Sequence, residues 1–235
     1  MDKYLQIVNY ENEYKQENFK DFEYVNGIKV NFPDKDEIPF IEKETYEAYL
    51  KLQKFLKDNN IPCSLNSAGR TIKAQELTQQ EMFEIYLKDF EKEHPKEEAE
   101  MLAKQKLAEM VAKPGHSEHH TGLAIDLSPK MIGKNPVTKY FANEYNKKHL
   151  TENYAFLAEV APKFGFIVRY TKDNASSTGV KRPEPWHLRY VGVEHAQEIA
   201  RRMQKDPSYS LEQYVELLRQ FEEKINALRG QSLAQ

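Results

Sequence analysis

Hydrophobic positions recur along this chain with two periods, one typical of helices and the other of strands. A helical spacing of three to four residues extends over 44–59, 73–93, 95–111, 152–164, 194–204 and 210–228. Short apolar or alternating runs at 63–67, 123–127, 166–170 and 188–191 are typical of strands. These patterns predict a set of amphipathic helices around a few short strands.

The order of these elements favours an α+β domain, because helices and strands do not alternate regularly as they do in βαβ folds. We expect a single domain in which a small central, mainly antiparallel sheet carries the functional site and helices flank it. Residues 1–40 have weak periodicity and predict an extended arm packed on the domain, with a short strand near 27–32. The core is expected at 41–205 and a C-terminal helix within 206–235.

Capping residues indicate where some of the predicted helices begin and end. Ser210 and Gln213 form a capping box at the start of the last helix, and Gly230 is expected to end it. Gly165 is expected to end the helix over 152–164. The apolar positions of the last helix are typical of core positions, although the helix could also contact a partner; they are Leu211, Tyr214, Val215, Leu218, Phe221, Ile225 and Leu228.

Composition and charge exclude several classes of protein. The 235 residues are 40% hydrophobic and 30% charged, which is ordinary for a globular domain with a core. A net charge of −3 with interspersed signs gives no electrostatic footprint for nucleic acid. No segment approaches the roughly 20 apolar residues of a membrane span. The single cysteine, Cys63, excludes an intrachain disulfide and is expected to be a small buried side chain.

The compartment stays open at this stage. The first residues lack the apolar centre of an export signal. We expect a cell-envelope or extracellular protein if such a signal has been removed, and a cytoplasmic protein otherwise.

Two distant segments carry side chains that could form a metal site. His119 and Asp126 lie seven residues apart across a turn, and Glu184 and His187 lie in a second segment. Two imidazoles and a carboxylate are the ligand number of a catalytic zinc site, which leaves a fourth position for water. Prolines beside Glu184 break strand alternation, so Glu184 and His187 are expected to face one cavity. Glu184 would then serve as the base for that water.

Other interpretations of the histidines remain open from the residues alone. His116 and His120 lie close to His119, and such a cluster could be a passive metal-binding loop. Asp126 could instead cap a turn, with His187 packed on Trp186. The pairing of the histidine segment with a distant acid and histidine favours an active site.

The two segments contain motifs that resemble a known family. The pattern S-x-H-x-x-G-x-A-x-D lies at 117–126, and E-P-W-H-x-R-Y-V-G lies at 184–192. Both resemble the zinc D-alanyl-D-alanine carboxypeptidases of the VanY type, including related LD-carboxypeptidases. The segments 67–75, 165–170 and 178–179 also match, so the resemblance extends from about 46 to 192.

The resemblance implies a set of metal ligands and a mechanism. Zinc (Zn2+) would be bound by His119, Asp126 and His187. A water molecule on the zinc would be the nucleophile and Glu184 the general base. The expected reaction is hydrolysis of the terminal D-alanine from a peptidoglycan stem peptide or muropeptide.

Three further residues are implied in substrate binding. Arg70 would stabilise the oxyanion, because a cation favours charge that develops only in the transition state. Ser117 would help to hold the terminal carboxylate of the substrate, and Gln75 would contribute to the same pocket. A hydroxyl and a guanidinium group suit recognition of a carboxylate.

The chain departs from the family pattern at several positions, which leaves the substrate open. Gly69 replaces a usual tyrosine and is expected to widen the pocket wall, and His120 replaces a common glutamine. The loop 172–183 is expected to shape the pocket for the leaving residue. Alternatives are an LD-carboxypeptidase, a D-Ala-D-Ala dipeptidase, a cell-wall endopeptidase and a non-catalytic binding module. A dipeptidase needs a closed pocket that recognises an amine, whereas a carboxypeptidase needs an open groove.

Overall fold

The structure, a computed structural model, describes residues 2–32, 37–61, 63–129, 144–180 and 182–232. Its strands are β1 (Tyr24–Asn26), β2 (Phe40–Glu42), β3 (Cys63–Ser67), β4 (Ala124–Pro129), β5 (Phe166–Tyr170) and β6 (Glu184–Tyr190). Its helices are α1 (Lys43–Asp58), α2 (Ile72–Phe90), α3 (Lys96–Met110), α4 (Glu144–Val160), α5 (Ala175–Thr178), α6 (Val193–Lys205) and α7 (Leu211–Ser232). Short 3-10 helices lie at Lys3–Leu5, Gln16–Phe19, Glu118–Thr121 and Ala161–Phe164.

Four of these strands form the central sheet in the order β3–β4–β6–β5, with every neighbouring pair antiparallel. The strands β1 and β2 form a separate antiparallel pair. Mixed helices and a small antiparallel sheet confirm the predicted α+β class. The register places Asp126 of β4 directly opposite His187 of β6, so the sheet itself brings two candidate ligands together.

The two faces of the sheet bury different hydrophobic clusters. Ile125, Leu127 and Leu188 pack towards α1, in a cluster with Leu52 and Leu56. A second cluster contains Leu5 of the N-terminal arm together with residues of β5, α6 and α7; its other members are Ile167, Val191, Ala196, Ile199, Leu211, Tyr214 and Val215. Each fully buried leucine or isoleucine contributes about 1.5–3 kcal/mol. The N-terminal arm and the first half of α7 are therefore packed against the sheet.

Several predicted boundaries are confirmed and others are wrong. The strand over 63–67 is found as predicted, Cys63 is buried, and Gly165 ends the Ala161–Phe164 turn with φ +88°. The strand predicted near 27–32 lies instead at Tyr24–Asn26, because Gly27 turns the chain with φ +74°. The helix predicted over 152–164 begins at Glu144 and changes to a 3-10 turn after Val160.

The second motif segment begins earlier than expected, whereas the predicted start of the C-terminal helix is confirmed. Strand β6 begins at Glu184 rather than at residue 188, and an irregular register between Val168 and Tyr170 accommodates its start. The loop 172–183 contains the single turn α5. The Ser210–Gln213 capping box is confirmed, with Ser210 N donating to Gln213 Oε1 at 2.9 Å.

The end of α7 contradicts two predictions. The helix continues through Gly230 to Ser232, since one helical glycine costs only about 1 kcal/mol. Phe221, Ile225 and Leu228 are exposed rather than buried, because the second half of α7 lies outside the second hydrophobic cluster. Across the helices that the structure describes, none combines the length and the apolar character required of a membrane span.

Candidate active site

A tight turn before β4 positions the first candidate ligand. The 3-10 helix Glu118–Thr121 ends at Gly122, which has φ +71°. A Cβ at Gly122 would lie 2.8 Å from the Tyr24 ring, so this position requires glycine for both conformation and space. The Nδ1–H of His119 donates to the carbonyl of Ala68 at 2.7 Å, which directs Nε2 of His119 towards Asp126.

His119, Asp126 and His187 form a compact cluster on the sheet. Asp126 Oδ1 lies 3.5 Å from His119 Nε2 and 3.3 Å from His187 Nδ1. One ligand atom from each residue lies within 4.8 Å of the others. Asp126 Oδ1 is buried, and within the described part of the chain no group makes a well-aligned hydrogen bond to it; the two ring nitrogens contact it only as close polar neighbours. Two ring nitrogens facing a buried carboxylate oxygen suit a zinc ion, which takes nitrogen and oxygen ligands.

The charges of these groups favour a cation between them. Burial lowers the pKa of His119, so its ring is neutral and can offer a lone pair. Burial alone would raise the pKa of Asp126, but interactions with His119 and His187 hold it well below its ordinary range. Burial also disfavours charge on His187, yet contacts with Asp126 and Glu118 raise its pKa to about 9. A metal ion bound at this cluster would therefore have to compete with the proton on His187.

Glu184 lines the same cleft as the candidate ligands. Burial raises the pKa of Glu184, and the Asp126 carboxylate acts in the same direction. A carboxyl group with a raised pKa is a stronger base than an ordinary one. Glu184 therefore lines the same cleft as the cluster and has a carboxyl group with a raised pKa.

Arg70 and Gln75 form a connected pair at this site. Arg70 Nη2 donates to Ser67 Oγ at 2.8 Å, and Arg70 Nη1 donates to Gln75 Oε1 at 3.4 Å. Gln75 Nε2 donates to the carbonyl of Ala112 at 2.8 Å. Gln75 thus fixes the guanidinium of Arg70 and joins α2 to the segment after α3. Ser117 lines the cleft from the turn before β4, and its Oγ accepts a hydrogen bond from His119 N at 3.4 Å.

The cluster lies at the bottom of a cleft of about 670 Å³. His119, His187 and Ser117 are buried, whereas Tyr10 and Arg182 at the rim are exposed. The Arg182 guanidinium lies over the Trp186 ring at 5.2 Å. The remaining walls come from α2, the end of α3 and the loop before β6, with Met82, Tyr86, Met110 and Val180 among the lining residues. This volume is in the range of clefts that bind drug-sized ligands.

The neighbouring histidines have other roles. His120 is buried; its Nε2 accepts from Gly115 N at 3.1 Å, and its Nδ1–H donates to the carbonyl of Arg70 at 3.0 Å. Burial lowers the pKa of His120 to about 4, which is consistent with a neutral structural ring. His116 contacts the carbonyl of Asn9 at 2.9 Å through Nδ1, at the edge of the cleft. Neither belongs to the compact cluster.

One further expectation is corrected, and the structure adds further contacts of His187. Gly69 does not widen the cleft, because it pairs with Phe40 and a Cβ at this position would lie 2.5 Å from the Phe40 carbonyl. His187 packs on Tyr170, with ring centroids 4.9 Å apart, as well as edge-on against His119. Glu118, which the sequence interpretation omitted, is buried directly behind His187.

Comparison with known proteins identifies the family. The family model described as VanY, D-alanyl-D-alanine carboxypeptidase, matches residues 39–193. The chain belongs to the VanY family of carboxypeptidases. This match covers all the predicted site residues and confirms the resemblance in the motifs.

Individual relatives of this VanY-family chain agree with that assignment. A D-alanyl-D-alanine carboxypeptidase of Enterococcus faecalis is 35% identical over 60% of this chain and 44% of its own length. The D,D-pentapeptidase VanY of a VanB-type vancomycin resistance cassette, in complex with Zn(II), has TM-score 0.63 and 26% identity, covering 91% of this chain and 99% of that one. The LD-carboxypeptidase LdcB has TM-score 0.60 and 28% identity, covering 89% and 84%. The VanY-family chain spans about half the length of the sequence relatives it matches.

Proposed function

We propose that this VanY-family chain is a zinc-dependent carboxypeptidase that hydrolyses the terminal D-alanine from D-Ala-D-Ala-ending peptidoglycan stem peptides. The observation that carries the proposal is the presence of the candidate metal cluster (His119, Asp126 and His187), Glu184 and Arg70 in one cleft. The Zn(II) complex of the VanB-type VanY supports zinc as the metal. A non-catalytic binding module would need neither the buried acid nor the fixed guanidinium.

His119, Asp126 and His187 would hold the zinc. When bound, zinc acts as a Lewis acid and lowers the pKa of water from 15.7 to about 7. Glu184 would take the proton of the attacking water and deliver it to the amine of the leaving D-alanine. The raised pKa of Glu184 suits both halves of this proton transfer.

Arg70 would supply positive charge where the peptide carbonyl oxygen becomes an anion. Because Ser67 and Gln75 already hold the guanidinium, little reorganisation is needed when that charge develops. Ser117, which lines the same cleft, would donate a hydrogen bond from its hydroxyl to the terminal carboxylate. The presence of Arg70, Ser117 and Glu184 in the lining of one cleft supports these roles.

The shape of the cleft favours a carboxypeptidase over a dipeptidase. A dipeptide would fill only part of a 670 Å³ cleft. The cleft is lined by the buried cluster and also by the exposed residues Tyr10 and Arg182. The rest of a stem peptide would therefore extend from the cluster towards solvent. We infer that the wall of the cleft binds the residues that precede the cleaved bond.

An LD-carboxypeptidase is the second candidate, because the likeness to LdcB extends over most of both chains. The same cluster, base and cation would act on either stereochemistry. Only the pocket for the residue before D-alanine would differ.

Specificity constants with three substrates test the proposal. We expect kcat/KM for D-alanine release to be highest with a muramyl pentapeptide, lower with a tetrapeptide and lowest with D-Ala-D-Ala. A preference for the tetrapeptide would establish the LD-carboxypeptidase, and a preference for the dipeptide would establish a dipeptidase. Failure to cleave any of them, in a protein shown to bind zinc, would contradict the carboxypeptidase assignment and favour an endopeptidase or a binding module.

A further inference from the structure

We infer that Glu118 is a positioning residue that fixes the ring of His187 with Nδ1 towards the metal. This inference rests on the zinc site proposed above, but it does not depend on which peptide is cleaved. It concerns the hydrogen bond behind the ligand rather than the ligand itself. Metal-binding histidines commonly donate their second ring N–H to a carboxylate or carbonyl, which fixes both tautomer and orientation.

The geometry around His187 has this form. Glu118 Oε2 lies 3.2 Å from His187 Nε2, and Asp126 Oδ1 lies 3.3 Å from His187 Nδ1 on the other side of the ring. A 180° flip of the ring would replace the two nitrogens by carbon atoms and lose both contacts. The carboxylate of Glu118 can accept a hydrogen bond only from Nε2–H, so once the metal has displaced the other ring proton the lone pair on Nδ1 faces Asp126.

His119 is also held by a hydrogen bond behind its ring, but with the roles of the two ring nitrogens exchanged. His119 donates Nδ1–H to the carbonyl of Ala68 and presents Nε2 to Asp126. The two histidines therefore present different ring nitrogens to the candidate metal position. In each case a buried oxygen behind the ring selects the nitrogen that faces Asp126.

Buried arginines hold the Glu118 carboxylate in place. Glu118 is 2% exposed, and its Oε1 accepts from Arg169 Nε at 2.9 Å and from Arg189 Nη1 at 3.0 Å. Both arginine side chains are fully buried. An unpaired buried ion costs several kcal/mol, so these groups must remain together. With Oε1 held by two guanidinium groups, Oε2 is directed at His187.

The two ends of the chain complete this ionic network. Glu212 of α7 accepts from Arg169 Nη1 at 3.1 Å and also from Nη2. Arg189 Nη2 donates to the carbonyls of Tyr4 and Gln6 in the N-terminal arm, at 3.0 and 2.7 Å. Glu118 and Glu212 thus balance the two arginines in charge. Of the two acids, Glu118 contacts the candidate ligand and Glu212 provides a matched control.

The matched variants are Glu118→Gln and Glu212→Gln, each in the full chain. In the first, the amide oxygen is expected to accept from the two arginines, so the amide NH2 faces His187 Nε2 and opposes the required tautomer. We expect zinc to bind about 10–100-fold more weakly, measured by competition with a chelator. Glu212→Gln also removes one carboxylate from the network, and we expect a comparable fall in Tm with unchanged zinc affinity. Equal loss of zinc affinity in both variants, or none in Glu118→Gln, would overturn the inference.

A measurement on the wild-type protein avoids dependence on folded variants. In zinc-loaded protein with 15N-labelled histidine, NMR is expected to show His187 bound through Nδ1 and protonated at Nε2. Metal bound at Nε2 would overturn the inference, as would wild-type protein that binds no zinc. Protein that shows the expected ring state but releases no D-alanine would refute the proposed reaction while supporting the role of Glu118.

Discussion

We expect the metal-free protein to lose stability as the pH rises from 6.5 to 9, because of His187. Burial disfavours the imidazolium, but contacts with Asp126 and Glu118 outweigh burial and raise the pKa of His187 from 6.5 to about 9. The folded state therefore binds this proton more tightly than the unfolded state. The stabilisation is fully present below pH 6.5 and is lost as the pH rises through 9.

The size of the effect follows from the two pKa values. Each unit between them corresponds to about 1.36 kcal/mol, so the difference between 6.5 and about 9 is worth about 3 kcal/mol of unfolding free energy. His187 is only 4% exposed, so bulk solvent screens it little. For a protein of this length, such a loss lowers Tm by roughly 6–12 °C.

Urea denaturation in the presence of a chelator measures this change. The unfolding free energy is determined at intervals between about pH 6 and pH 9, with a check that the slope on urea stays constant. His187→Gln is the control, and its stability is expected to be flat over the same interval. His120 does not interfere, because its pKa of about 4 removes stability only as the pH falls below 6.5.

Stability of the metal-free protein that stays level or increases from pH 6.5 to 9 would refute the reasoning. Zinc should cancel this loss of stability. Since the metal replaces the proton on His187, the extra stability conferred by zinc is expected to grow with pH. A constant increment from zinc across this interval would show that no proton is displaced.

Three substitutions give further tests. Glu184→Gln is expected to keep zinc but to lose at least about 100-fold in turnover, since the base is gone; near-normal turnover would contradict that role. Asp126→Ala is expected to lose the metal, and stoichiometric zinc in the purified variant would refute its assignment as a ligand. Gly122→Ala is expected to lower the unfolding free energy, measured by urea denaturation, by about 1–3 kcal/mol. The added Cβ would contact the Tyr24 ring, and alanine is strained at the positive φ of this position. Unchanged stability would contradict this constraint.

The sequence predicts the central elements well because burial sets their pattern. Leu123, Ile125 and Leu127 are all buried, and Asp126 projects from the opposite face as the alternation predicts. The start of β6 is missed because Pro185 obscures a strand at its first residues. The register irregularity opposite β5 that accommodates it depends on tertiary pairing.

The C-terminal helix shows a second limit of prediction from sequence: hydrophobic periodicity does not tell how much of a helix is buried. Its apolar period is continuous from Leu211 to Leu228, but only the first half meets the second hydrophobic cluster. Periodicity indicates which face of a helix is apolar. It does not indicate how far the neighbouring surface extends.

The sequence predicts the site residues that belong to its two motifs, but not the residues behind them. His119, Asp126 and His187 lie in short patterns with recognisable spacing, and the structure brings them together. Glu118 is missed because a glutamate between polar neighbours is typical of a solvated position. A signal was available in Arg169 and Arg189, which interrupt apolar strands, since a buried arginine requires a buried acid.

Release of D-alanine from a muramyl pentapeptide, with and without a zinc chelator, tests the central claim most directly. We expect release by the purified protein, loss of release on chelation, and recovery when stoichiometric zinc is restored. Release that persists after the metal has been removed would contradict a zinc mechanism. Absence of release from zinc-loaded protein would contradict the carboxypeptidase activity itself.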